Sequence, residues 1–134
     1  MKKWSQITNK HLHTLTLSAA KLEKSATLDL LEYLAEIDRR RLYAEMGFPS
    51  LWIYVHEVLG YSESQTSERV SAMRLMVKVP EVKKELEAGN ISLTTTAKLA
   101  THVRREKTSA TETLNLLTSI SGKTSREVEQ HLAK

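Results

Sequence analysis

A group of polar side chains that could read nucleic-acid bases follows the pair Leu59 and Gly60. Serine and glutamine can bond to base edges in the major groove, and glutamate can accept a hydrogen bond from cytosine. Arginine and lysine can neutralise the neighbouring phosphates. The candidate base contacts are Ser62, Ser64, Gln65, Ser67 and Glu68, and the candidate phosphate contacts are Arg69, Arg74, Lys78, Lys98, Arg104 and Arg105. These residue types would suit contact with double-stranded DNA if the segment is a recognition helix.

Other arrangements of reactive residues give little sign of catalysis or metal binding. His11 and His13 form an H-x-H pair, but residues two apart on a helix point to different sides and are poor joint ligands. The chain has no cysteine, which excludes disulfides and thiolate metal sites. No serine–histidine–acid order, carboxylate pair or glycine-rich phosphate loop is evident. We therefore expect no enzymatic activity, no metal and no cofactor.

The net charge of +4 is spread unevenly along the 134 residues. Basic residues exceed acidic ones by five to one in residues 1–24 and by seven to four in residues 91–134. Between them the balance is three to six in residues 25–60 and five to five in residues 61–90. A nucleic-acid-binding protein more often carries one dense basic stripe. The distribution permits an anionic partner without requiring one.

The run DRRR, Asp38 to Arg41, has two interpretations of equal weight. Its arginines could contact phosphates. They could equally stabilise the end of a long helix and form ion pairs within the chain.

Two apolar stripes predict helices near the start of the chain. The first stripe is Leu12, Leu15, Ala19 and Leu22, and it predicts a helix over residues 8–23. The second stripe is Leu28, Leu31, Leu34, Ala35 and Leu42. Ser25 or Thr27 can cap the second helix, so the two are expected to form a helical hairpin over residues 8–42. This hairpin either packs on the core or pairs with a second copy, and we expect a homodimer through it.

The middle of the chain, residues 50–103, is expected to form a core that contains a helix-turn-helix unit. Ser50 caps a helix that ends at Leu59, and Ser62 caps the next one. The apolar stripe of that next helix is Thr66, Val70, Met73 and Val77.

Further capping signals predict the rest of the chain as helix. Pro80 begins a short helix that ends before Gly89, and Ser92 caps another. Two C-terminal helices follow within residues 109–134, the last beginning with the capping box of Thr124 and Glu127. About eight helices and no strands predict an all-α, multi-helix single domain over residues 1–134.

The turn between the two central helices has the spacing of a helix-turn-helix. Gly60 tolerates positive φ, Tyr61 provides an apolar plug, and Thr66 and Val70 face back toward the preceding helix. His56 departs from this pattern, because a small residue usually stands four positions before the glycine. The alternative is a tight corner between two packed helices.

The stretch from Leu59 to Ala100 resembles the helix-turn-helix region of ParB and KorB partition proteins. The shared order is "LGYSESQTSERV", then "VKVPEVKKELEAGNIS", then "LTTTAKLA". Val79 stands before Pro80 where that family has leucine. The resemblance implies DNA binding with a recognition helix after Gly60. The arginine-rich, CTP-binding segment of ParB proteins has no counterpart here, so nucleotide hydrolysis is not implied.

A longer part of the chain resembles the helical region that precedes the HNH module in bacterial HNH-endonuclease-like proteins. The matching segments are "LEYLAEIDRRRLYAEMGFPSLWIYVHEVLGYSE", "RVSAMRLMVKVPEVKKELEAGNISL" and "SGKTSREVEQHLAK". An HNH site needs histidines and asparagine on a ββα unit to hold a divalent ion, and no such unit follows residue 103. The resemblance implies the DNA-targeting part of such a protein, either as a fragment that ends before the nuclease or as a free-standing relative without one.

Two functions from different classes are therefore expected, in order of preference. The first is a DNA-binding helix-turn-helix module. The second is a protein-interaction or dimerisation module with a degenerate helix-turn-helix, which Glu63 and Glu68 favour. If Arg69 and Lys78 are free of acidic neighbours, the first is supported; if both are paired, the second is. The sequence lacks a membrane-spanning run and a signal-peptide pattern, so a cytoplasmic location is expected.

Overall fold

Eight α-helices follow one another in the computed structural model, which describes residues 3–133, after a single 3-10 turn at Trp4–Gln6. The helices are α1 (Asn9–Arg40), α2 (Leu42–Glu45), α3 (Leu51–Val58), α4 (Glu63–Lys78), α5 (Glu81–Ala88), α6 (Leu93–Glu106), α7 (Ala110–Ile120) and α8 (Ser125–Leu132). The described part of the chain contains no strand. The predicted all-α single domain is confirmed.

Side-chain caps determine where most of these helices begin. Ser50, Ser62, Ser92 and Thr124 each accept a hydrogen bond from the backbone N–H three residues later, as predicted. Ser62 and Thr124 also form capping boxes, because the side chains of Gln65 and Glu127 accept hydrogen bonds from their backbone N–H groups in return; the predicted box of Thr124 and Glu127 is confirmed. Short polar residues at the right spacing therefore locate α3, α4, α6 and α8 without help from distant parts of the chain.

The predicted hairpin over residues 8–42 is wrong, because α1 continues without a break from residue 9 to residue 40. The Thr27 hydroxyl donates to the backbone oxygen of Glu23, 3.0 Å away inside the helix, rather than capping a new one. No glycine or proline lies between residues 9 and 40, so nothing in the backbone stops the helix. The break comes at Arg41, whose φ of 53° is left-handed; α2 therefore begins separately.

The core is built around α4, which packs mainly against α6 and also against α1 and α3. Thr66, Val70 and Met73 are buried as predicted. Val77 was expected to complete this stripe but is 61% exposed, while Leu75 and Met76 are buried instead. Because helices cover α4 on more than one side, its buried residues are not confined to one stripe. The predicted stripe is therefore wrong in the last turn of α4, at Val77.

The second predicted stripe joins this core through its central part. Leu31 and Leu34 are completely buried. Leu28, Ala35 and Leu42 are half-buried, and Ala35 packs against the core. α1 is therefore anchored to the domain by its C-terminal half.

The N-terminal half of α1 extends away from the core. Every residue from 9 to 26 is exposed, and we call this segment the α1 arm. The predicted first stripe lies on it, and Leu12 is 45% exposed, Leu15 41% and Leu22 69%. The predicted stripe therefore does lie on a helix, but no other part of the described chain covers it.

Candidate nucleic-acid interface

The connection between α3 and α4 is held by contacts to one backbone oxygen. Gly60 has a φ of 77°, a left-handed conformation that glycine adopts at the lowest energetic cost because it has no Cβ. The half-buried Tyr61 packs against the core, and its carbonyl accepts a hydrogen bond from the His56 ring nitrogen Nδ1 at 2.7 Å. Thr66 Oγ1 lies 3.5 Å from the same oxygen. His56, the residue that departs from the usual pattern, therefore fixes the turn instead of loosening it.

Five side chains share one exposed face of α4, which we call the α4 face. They follow one another at intervals of three and four residues, the spacing that places residues on one side of a helix. They are Ser64, Ser67, Ser71, Arg74 and Lys78. Ser71 is half-buried and the other four are exposed. The face is polar and uncharged near the start of α4 and cationic near its end.

The cationic end of this face opens into a groove between α4 and α6, which we call the basic groove. The groove has a volume of about 280 Å³. Its polar lining is Ser71, Arg74, Lys78 and Arg104, and its floor is Leu75, Ala100 and Val103. No acidic side chain lines it. Lys78 Nζ donates to the backbone oxygen of Thr108 at 2.8 Å, which fixes the position of this ammonium group.

The three cations of the basic groove are not neutralised within the described residues. None of the basic atoms of Arg74, Lys78 and Arg104 lies within 4.0 Å of a carboxylate oxygen there. Lys78 and Arg104 lie in the last turns of α4 and α6, where the helix dipoles also favour cations. An anion in this groove would meet three cations and at least one serine hydroxyl.

Other predicted base contacts are occupied with holding α4 in place. Ser62 and Gln65 form the capping box. Glu68 accepts a hydrogen bond from the Thr94 hydroxyl at 3.0 Å, which links α4 to the start of α6. Ser67 accepts one from Trp52 Nε1 at 3.0 Å and stays exposed. Of the five predicted base contacts, Ser64 and Ser67 are the two that lie on the α4 face.

Two predicted phosphate contacts, Arg69 and Lys98, are likewise engaged inside the molecule. The Arg69 guanidinium stacks 4.3 Å from the Tyr61 ring centre and lies 4.0 Å from Glu68. Lys98 Nζ lies 2.5 Å from a carboxylate oxygen of Glu129 on α8. From the sequence we expected both Arg69 and Lys78 to be free for DNA binding, or both to be paired for an interaction role. Arg69 has an acidic neighbour and Lys78 has none, so this criterion does not separate the two functions.

The last predicted phosphate contact, Arg105, is exposed and lies beside its neighbour Glu106, with 3.3 Å between Nε and the carboxylate oxygen. An ion pair this exposed is weak, since water screens it. Arg105 therefore remains accessible at the end of α6, outside the basic groove.

Two of the three arginines of the DRRR run form ion pairs within the chain. Arg39 and Arg40 both donate to the Glu36 carboxylate, at 2.5 Å and 2.6 Å. These two hydrogen bonds lower the pKa of Glu36 to about 2. The interpretation of this run as internal ion pairs thus has direct contacts in its favour.

Neither a metal site nor a membrane-crossing helix is found in the described residues. His11 and His13 are exposed on the α1 arm. In residues 3–133 no three histidine or acidic side chains come together as metal ligands could. The described helices also include none with the length and apolarity to cross a bilayer.

Comparison with known proteins gives no assignment: no protein-family model, no curated protein and no solved structure matches the chain. The resemblances to ParB and KorB proteins and to HNH-associated regions therefore stay predictions.

One residue of the candidate interface, Ser71, and one contact, that of Trp52 with Ser67, were not predicted from the sequence. Ser71 belongs to the α4 face and lines the basic groove; the interval of seven residues from Ser64 and three to Arg74 could have identified it. Trp52 contacts Ser67 from α3. No sequence signal pairs residues 52 and 67, because that contact depends on how α3 crosses α4.

Proposed function

We propose that the chain is a double-stranded DNA-binding module in which α3 and α4 act as a helix-turn-helix and α4 is the recognition helix. The observation that carries the proposal is the α4 face together with the basic groove: a row of serines leads to Arg74 and Lys78, and Arg104 of α6 adds a third cation that has no carboxylate partner in the described residues. Serine hydroxyls donate and accept hydrogen bonds at base edges, and the cations of the basic groove contact phosphates. The proposal assigns the chain no catalytic step.

The charges of the interface imply weak, salt-sensitive binding. Arg74, Lys78 and Arg104 can neutralise about three phosphates, which gives a slope of about −3 for log K against log salt concentration. The exposed Glu63 at the start of α4 suits the helix dipole but repels phosphates. Recognition by one copy is therefore limited to a few contacts.

The test is a fluorescence-anisotropy titration of labelled duplexes at low and at physiological salt. Arg74→Ala should weaken binding to every sequence and make the slope shallower by about one. Lys98→Ala is the matched control, because it removes the same charge from a cation already paired with Glu129. If the unaltered chain does not bind any duplex at low salt, or if the two variants behave alike, the proposal fails.

A second candidate function is a protein-interaction or dimerisation module, and the α1 arm favours it. Exposed leucines along a helix of this length are typical of an interaction surface. A homodimer through residues 8–42 is compatible with both functions, because helix-turn-helix proteins gain affinity and recognise palindromes when they dimerise. Under either function we place the chain in the cytoplasm, and the HNH resemblance makes a bacterial nuclease-like protein its expected context.

A further inference from the structure

The apolar stripe of the α1 arm faces away from the domain to which α1 belongs. Leu12, Leu15, Ala19, Leu22 and Ala26 repeat at intervals of three and four residues and share one side of the helix. At 3.6 residues per turn, this side points roughly 110° away from the side that carries Leu31 and Leu34. The chain's own core therefore cannot cover the stripe without breaking α1.

We propose that a second copy of this chain covers the stripe, with the two arms antiparallel and the two-fold axis level with residue 17. This proposal deepens the homodimer named above by giving its geometry, and it does not depend on DNA binding. In this register Leu12 packs beside Leu22 of the second copy, and Leu15 packs beside Ala19 of the second copy.

The lengths of the two arms match in this register. Ala26 meets Thr8 of the second copy, so each helix begins where the other arm ends. Burial in α1 starts at the very next residue, the half-buried Thr27. Each arm therefore fits the exposed part of the other without reaching the opposite core.

Packing favours the antiparallel pairing over the parallel one. Two parallel arms would place Ala19 against Ala19 and leave a gap between two leucine layers. The antiparallel pairing instead puts a large side chain against a small one in both central layers, which fills the space evenly. The stripe is thus complementary to itself only when one copy is reversed.

Charge favours the same direction. Glu23 is the one acidic residue of the arm, whereas its cations are Lys10, Lys21 and Lys24. In the antiparallel pairing Glu23 lies level with the first turn of the second α1, at the positive end of its helix dipole, while the arm's three lysines project from the side away from the contact. Parallel arms would bring the two positive helix ends together.

The size of the contact predicts a weak dimer. An arm of 18 residues is about 27 Å long and about 10 Å wide, which gives a contact below the roughly 1,000 Å² total of a tight interface. We expect a dissociation constant of about 10–500 µM, so dimers form at high protein concentration or when two copies bind one duplex.

Sedimentation of the full chain without DNA tests the pairing. Between roughly 10 µM and 1 mM, the unaltered chain should shift from monomer to dimer. Leu15→Gln should weaken association at least about tenfold, because the symmetry removes two leucines from the interface at once. Leu17→Gln is the matched control: Leu17 is 51% exposed on the opposite side of the same arm, and its replacement should change nothing. A monomer throughout, or equal effects of the two variants, overturns the proposal.

The direction of the arms can be tested because the chain has no cysteine of its own. Leu12→Cys protein is mixed with isotope-labelled Leu22→Cys protein and treated with a short bis-maleimide cross-linker. Antiparallel arms give the mixed product in excess over self-products by mass spectrometry, whereas parallel arms give self-products. A majority of self-products, or no cross-link at concentrations where dimers sediment, overturns the antiparallel pairing. Since neither measurement involves DNA, failure here leaves the DNA-binding proposal to its own titration.

Discussion

Replacing Leu31 by alanine should destabilise the fold strongly, whereas the same change at Leu17 should not. Both leucines lie on α1, but Leu31 is fully buried and Leu17 is 51% exposed. Leucine-to-alanine changes in a packed core cost about 2–5 kcal/mol, because contacts are lost and a cavity remains. At Leu17 no cavity forms and alanine is the better helix former, so the change should stay within about 0.5 kcal/mol. The total stability of a domain is only about 5–15 kcal/mol.

Urea unfolding followed by circular dichroism measures this difference. With a loss of about 3 kcal/mol and a slope of about 1.5 kcal/mol per molar urea, Leu31→Ala should lower the unfolding midpoint by about 2 M. The titrations belong at low micromolar protein, where the arms are unpaired. Equal midpoints for the two variants would refute the assignment of α1 to an anchored half and a free arm. If Leu31→Ala does not fold, Leu31→Val, with a smaller cavity, provides the measurable shift.

Two further predictions concern the turn and the DRRR run. Gly60→Ala should cost about 1–2 kcal/mol from backbone strain alone, because a Cβ there meets no atom within 4 Å; a loss of folding in thermal melts would contradict this. The Glu36 carboxyl should titrate near pH 2 by NMR, and its pKa should rise toward the usual value when Arg39 and Arg40 are both changed to Gln. Because folding lowers this pKa from its usual 4.5, the ionised group stabilises the fold above pH 4.5, and that contribution is lost as the pH falls toward 2. An unchanged pKa in the double variant would contradict the ion pairs.

Local signals in the sequence were enough to locate most helices. A cap such as Ser62 acts on backbone groups three residues away, and Gly60 adopts the positive φ of the turn before α4 at low cost because it has no Cβ. These effects operate within one turn of helix, so they can be read before any fold is known. The signal at Thr27 was ambiguous, because a threonine can either cap a helix or form a hydrogen bond inside one. The helix is continuous on both sides of Thr27, so its hydroxyl bonds inside the helix and the predicted cap is wrong.

By itself, the sequence determined the all-helical class, the starts of the capped helices and the polar character of the segment after Gly60. The tertiary structure decided which polar residues remain available. Glu68 and Arg69 are held by contacts that form only when the turn, α4 and α6 come together. It also brought Arg104 beside Arg74 and Lys78 across two helices, and it left the leucines of the α1 arm exposed. The physical reason is range: caps and turns depend on neighbours in the chain, whereas burial and charge pairing depend on residues that only packing brings near.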